Sequence, residues 1–238
     1  MTAPAASRLA LGLDVGGTKI AAGLAEFPSG RVLARRLAPT CPERGGRAVL
    51  DDALRLAREL AAEAPAPIRA VGVGVCELVD RAGRLASANT LPWADLPVIE
   101  EFSAVAPACF GADVRAGALA EARFGTGRAF RQFLYLTVGT GISACLMLDG
   151  RPHLGARGLT GTFASSPLRV PCEACGAGHS PTLEEIAAGP ALVARYRAAG
   201  GAAEDGRAVV AAAAGGDAAA RRVVESAAAA LAAQAGLL

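Results

Sequence analysis

Lysine is almost missing from this chain: among its 24 Lys and Arg residues, Lys19 alone carries an ammonium group. Apolar runs of the roughly 18–20 residues that a membrane helix needs are absent, so no membrane partner is expected. Charge of one sign is also lacking. The net charge is +2, which gives no electrostatic ground for a nucleic-acid partner. No basic segment followed by an apolar stretch of about 7–15 residues opens the chain, so a secretory signal is not expected and a cytoplasmic location is. The six cysteines are scattered except for Cys172 and Cys175, which argues against a disulfide framework. A Walker loop, with its long glycine spacing and the helix that opens after Gly-Lys-Ser/Thr, is missing too.

What is present begins at Leu9–Leu24, where an apolar run leads into Asp14-Val15-Gly16-Gly17-Thr18-Lys19 and a second apolar run follows. This predicts strand, tight turn, strand. Glycines at the turn permit positive φ and a close approach to a ligand. Successive amides there form an anion-binding concavity. Asp14 can hold a metal ion through water, and Thr18 and Lys19 can donate to phosphate oxygens. An ordinary Gly-Gly hairpin turn is the competing reading.

Strands are predicted over residues 8–14, 19–26, 31–38, 69–76 and 107–111, with helices over 47–63, 95–105 and 113–124. A second strand, turn, strand unit follows at 132–148, where Thr137-Val138-Gly139-Thr140-Gly141 echoes the first turn. Residues 150–180 are loop-rich, and from 182 the pattern is helical with breaks at Gly200-Gly201 and Gly215-Gly216. Two such turns predict a duplicated α/β chain, with lobes 1–112 and 113–238 facing a cleft that holds a nucleotide's phosphates. Asp113, opening its helix, reads either as a simple N-cap or as a catalytic carboxylate.

Several segments in order resemble the ROK family of repressors, open reading frames and sugar kinases, within the actin-like ATPase (ribonuclease H-like) superfamily. Asp14–Lys19 resembles its first phosphate motif and Leu136–Ile142 its second. Ala88-Asn89-Thr90-Leu91-Pro92-Trp93 is similar to its sugar-contact segment, and Ala112–Glu121 to the segment carrying its catalytic Asp. The resemblance implies an ATP-dependent hexose kinase using Mg²⁺, with a hexose or hexose derivative as acceptor and a homodimer as the assembly. Asp113 would be the base and a sugar contact, and Asn89 and Glu184 further sugar contacts. Asp14, Gly16, Gly17, Thr18 and Lys19 would hold phosphate together with Thr137, Gly139, Thr140 and Gly141.

The departures from the family pattern concern the acceptor. Ala112 stands where the family has a sugar-binding Asn, Thr162 where it has a Glu, and Ser165 where it has a His. In the zinc loop one cysteine is replaced by Thr182, leaving Cys172, Cys175 and His179 either as three zinc ligands or as parts of a metal-free loop. Glu185 beside Glu184 leaves their register open. The family's closing strand, Gly-Gly turn and helix do not follow Leu238, so the second lobe is expected to be incomplete. These changes point to a weak or altered kinase, or to an impaired relative that binds sugar, nucleotide or a protein. A DNA-binding repressor is disfavoured, because no basic recognition helix is visible.

Overall fold

A computed structural model describes residues 7–159, 161, 163–165, 167–168, 170–171 and 178–236, with the side chains at 163, 170, 171 and 179 left aside. Cys172, Cys175 and Thr162 therefore lie outside the described residues. These residues form two compact units, one taking everything up to 133 plus 147–160, the other 134–146 plus 161 onward. The helix that opens at Asp113 is thus grouped with the first unit, not with the second lobe that the sequence reading began there.

The first unit is built on β1 (Arg8–Val15), β2 (Lys19–Phe27), β3 (Arg31–Pro39), β4 (Ile68–Val75) and β5 (Ala108–Ala112), ordered β3-β2-β1-β4-β5. β1 pairs antiparallel with β2 and parallel with β4, so the sheet is mixed. Its two faces differ because side chains alternate along each strand. One face carries Leu9, Leu11, Leu13 and Val15 of β1 with Val71, Val73 and Val75 of β4. Against it packs α1 (Gly46–Ala62), whose Leu50, Ala53, Leu54 and Ala57 recur at helical spacing and are buried.

The opposite face is nearly free of bulk. In the strand register Gly12 lies beside Gly23 and Gly72, and the next row runs Ala21, Asp14, Gly74, Gly111. Over this second row begins α3 (Asp113–Phe124): a methyl at Gly74 would meet the Asp113 Cα at 3.4 Å. Between β4 and β5 the chain forms the loop containing Trp93 and then the short α2 (Val98–Ser103). The sequence had suggested a longer helix over 95–105; Pro97 instead occupies the position before the first turn.

Strands β6 (Gln132–Val138), β7 (Ile142–Leu148) and β8 (Arg151–Pro152) follow, in that sheet order. A short pair, β9 (Val170–Pro171) and β10 (Gly178–His179), lies within the predicted loop region. In the second unit a helical layer closes on Ile142 of β7. It comprises α4 (Leu183–Ala187), α5 (Gly189–Ala198), α6 (Gly206–Ala214) and α7 (Ala218–Ala235). Leu183, Val209 and Ala220 are fully buried in its core. The breaks between α5 and α6 and between α6 and α7 fall at the two glycine pairs, as the sequence predicts, while α4 and α5 part at Ala188. Among the described residues no helix is long and apolar enough to cross a membrane.

Candidate active site

The first glycine turn joins β1 to β2. Gly16 N–H donates to the Lys19 carbonyl at 3.0 Å, closing the turn. From the far end of β3, buried Thr40 ties it down: its hydroxyl donates to the Gly16 carbonyl at 2.7 Å and its N–H to the Thr18 carbonyl at 3.0 Å. The amides of Gly17 and Thr18 are left with no partner among the described residues. Two unbonded N–H groups beside an ammonium form an anion cradle, the feature that distinguishes this turn from a plain hairpin.

Asp14 stands on β1 immediately before the turn, on the small-residue face. Burial pushes its carboxyl above the usual range, and the nearby Lys19 charge partly opposes this. Asp113 lies one strand away, because Gly74 of β4 sits between them in the row and adds no side chain. Burial pushes Asp113 up as well, and the Asp14 charge raises it further, against the Val114 N–H that its Oδ1 accepts at 2.6 Å. The N-cap position of α3 belongs to Ala112, with Asp113 the first helical residue, so the N-cap reading of Asp113 is not what the structure shows. A raised carboxyl is a stronger base once ionised.

Asn89 arrives on the loop after β4, and Glu77 shapes that loop. Glu77 is 3% exposed, and its carboxylate accepts the amides of Asn89 at 3.0 Å, Thr90 at 2.6 Å and Leu91 at 2.8 Å. The Ser87 hydroxyl donates to it as well. Desolvation pulls its pKa upward, but Ser87 and these three amides more than offset that and hold it below the usual carboxylate range. Trp93 Nε1 donates to the Gly46 carbonyl at 3.0 Å and fixes the loop's other end on α1. The Asn89 side chain has no partner among the described residues and stays exposed. A methyl on Gly17 would lie 2.8 Å from the Thr90 side chain, so this loop abuts the glycine turn.

Glu77, Thr40, Thr90 and Cys76 were not read from the sequence. Only Glu77 carried a signal: an acid between Val75 and Leu78-Val79, where a strand should be running into the core. Cys76 is solvent-accessible, yet desolvation and the charges of Glu77 and Asp113 push its thiol up to about 11, which keeps it protonated at neutral pH.

The second glycine turn lies in the other unit. Gly139 N–H donates to the Gly141 carbonyl at 2.9 Å, and the Gly139 carbonyl accepts the Gly189 N–H at the start of α5 at 2.7 Å. The Thr137 hydroxyl reaches the Ser143 carbonyl at 3.5 Å, and Thr140 occupies the turn's tip. Glu184, expected at a sugar, is placed at this turn: its Oε1 accepts the Ile142 N–H at 2.8 Å and would lie 2.7 Å from a methyl on Gly141. Its neighbour Glu185 forms a capping box with Thr182 at the start of α4. Thus Asp14, Gly16, Gly17, Thr18, Lys19, Asn89 and Asp113 gather in the first unit, and Thr137, Gly139, Thr140, Gly141 and Glu184 in the second. The zinc reading falls on Cys172 and Cys175, outside the described residues, and on His179, whose side chain is not described. Among the described residues no group of three or more His, Cys, Asp or Glu converges as a metal site.

A profile of the ROK family matches residues 10–237. The chain belongs to the ROK family. It is 32% identical over 190 residues to the glucokinase of Streptomyces coelicolor, covering 78% of this chain and 58% of that protein. The ROK chain thus spans under two thirds of that relative's length. A xylose repressor of Caldicellulosiruptor bescii is 27% identical over 150 residues, covering 61% of this chain and 37% of the repressor. Among solved structures, a ROK glucokinase from Streptomyces griseus in complex with glucose and AMPPNP superposes with a TM-score of 0.78 at 26% identity. That match covers 97% of this chain and 80% of the other. The α/β chain with a mixed sheet accordingly has the actin-like ATPase fold of the ROK sugar kinases.

Proposed function

We propose that this ROK chain is an ATP-dependent hexose kinase, transferring a γ-phosphoryl group to a sugar hydroxyl. The observation that carries the reading is the pairing of Asp113 with Asp14 beside a glycine turn that has two unbonded amides and Lys19. Phosphoryl transfer requires positioning, charge stabilisation and a carboxylate at the nucleophile, and little covalent chemistry from the protein. Asp113 accepts the proton of the attacking hydroxyl. Gly17 and Thr18 amides, the Thr18 hydroxyl and Lys19 bind phosphate oxygens, as do Thr140 and Gly141 in the second turn, whose supports include Thr137 and Gly139. Asp14 would hold Mg²⁺ through water, and that ion would supply charge neutralisation on the phosphates. The exposed side-chain amide of Asn89 orients the sugar, and Glu184 is assigned to the same substrate. Kinase relatives, including one solved with glucose and AMPPNP, support a hexose and ATP as ligands. A homodimer in the cytoplasm belongs to the same reading.

A second reading is favoured by one observation. The residue before Asp113 is Ala112, which is 8% exposed and brings no polar group to the acceptor. A chain that binds sugar without turning it over would look the same there. Release of ADP from Mg·ATP by the purified chain separates the two, assayed with glucose, mannose, N-acetylglucosamine and fructose. Sugar-dependent release that vanishes in Asp113→Asn supports the kinase. Saturable sugar binding without release supports the second reading.

A further inference from the structure

The first unit contains a cavity of about 560 Å³ that shares no lining residue with the proposed reaction site. Its walls come from the turn after β4's loop, through Arg81, and from the segment that leaves β7, through Leu148, Arg151, Pro152, His153 and Leu154. Two guanidinium groups and an imidazole therefore line it, and among the described residues no carboxylate does.

The described acids beside it, Asp80 and Asp149, are committed elsewhere. Asp80 pairs with Arg84 at 2.8 Å, and Asp149 pairs with Arg131 at 2.8 Å. The guanidinium groups of Arg81 and Arg151 have no ion pair or hydrogen bond among the described residues, so no described acid compensates their charges at the cavity. Arg81 is also presented on a stiff support. Asp80 Oδ1 accepts the amides of Ala82 at 2.8 Å and Arg84 at 3.0 Å, and Gly83 turns the chain with φ +79°. Behind this turn packs Gly158, where a methyl would lie 2.6 Å from the Arg81 amide nitrogen. The Gly158 carbonyl accepts from Arg115, two residues into the helix that Asp113 opens.

The remaining walls are apolar: Leu148, Pro152 and Leu154 are half-buried there. Guanidinium forks match a phosphate's oxygens in pairs, and apolar walls suit a carbon body attached to it. The volume is that of a small-molecule site, within the roughly 300–1,000 Å³ such pockets span. A nucleic acid would call for a broad positive field, and the chain's net charge is only +2. We infer that this cavity binds a small organic phosphomonoester at a site separate from the phosphoryl-transfer machinery.

Isothermal titration of the full chain with glycerol 3-phosphate and with inorganic phosphate tests this. One saturable site per chain is expected for glycerol 3-phosphate, with weaker binding of inorganic phosphate. Lys19→Met should leave it intact, because that change disables only the glycine turn. The exposed pair Arg81→Ser/Arg151→Ser should weaken it by about tenfold or more, while Arg81→Lys/Arg151→Lys should retain part of the affinity. Melting temperatures would verify that each variant folds. Unchanged affinity in the serine pair, loss in Lys19→Met alone, or no saturable heat with the wild-type chain would each overturn the proposal. Equal affinity for inorganic phosphate would overturn its organic part. None of these outcomes depends on whether the chain turns over ATP.

Discussion

At the scale of single residues, Asp113 and Glu77 are opposite uses of a carboxylate. Asp113 is held above its ordinary pKa by burial and by Asp14, so its ionised form costs folding free energy at neutral pH. The sign follows from linkage: a carboxyl raised in the folded state stabilises the fold at low pH, and this is lost as pH rises through the folded value. Asp113→Asn should therefore lower sugar-dependent ADP release by about 100-fold or more. Its melting temperature at pH 7 should be unchanged or higher, and a clear drop would mean the carboxylate is structural. The acid limb of the activity profile should lie above the ordinary Asp range of 3.8. Glu77 is lowered, so it stabilises the fold above the ordinary 4.5 and loses that contribution as pH falls through its folded pKa. Glu77→Gln leaves buried amides of the Asn89 loop short of acceptors. A loss of about 1–3 kcal/mol is expected, read by urea unfolding, with a rise in the KM for sugar.

At the scale of elements, local chemistry sets where segments begin and tertiary contacts set what they do. Strand limits at both glycine turns and the opening of α3 agree with the sequence reading, since glycine punctuation and alternation are local signals. Thr182 could be read only as a lost cysteine, yet it is the N-cap that starts α4 and so places Glu184. Thr182→Ala should cost about 0.5–2 kcal/mol, measured by thermal circular dichroism. A loss no larger than experimental error would mean that core packing alone holds α4. Glu184 itself shows the limit of reading by position: its bond to the Ile142 amide follows from the packing of α4 on β7, which no spacing encodes.

At the scale of the whole molecule, the described residues form two separate cores, and the chain's one tryptophan reports on the first. Trp93 is fully buried there, while Leu183 is fully buried in the second. Leu183→Ala should destabilise by about 2–5 kcal/mol. The helical circular-dichroism midpoint should fall further than the Trp93 fluorescence midpoint; equal movement of both would mean that the cores unfold together. By itself the sequence determined the family, the alternation of strands and helices, the two glycine turns and the carboxylate that opens α3. These rest on residue order, backbone freedom and hydrophobic period, which act over a few positions. Only the tertiary structure decided that Asp14 and Asp113 share one electrostatic site, that Glu77 holds the Asn89 loop, and that Arg81 and Arg151 line one cavity. Each joins residues distant in sequence through strand register or loop packing, and one register slip would send a side chain to the other face of the sheet.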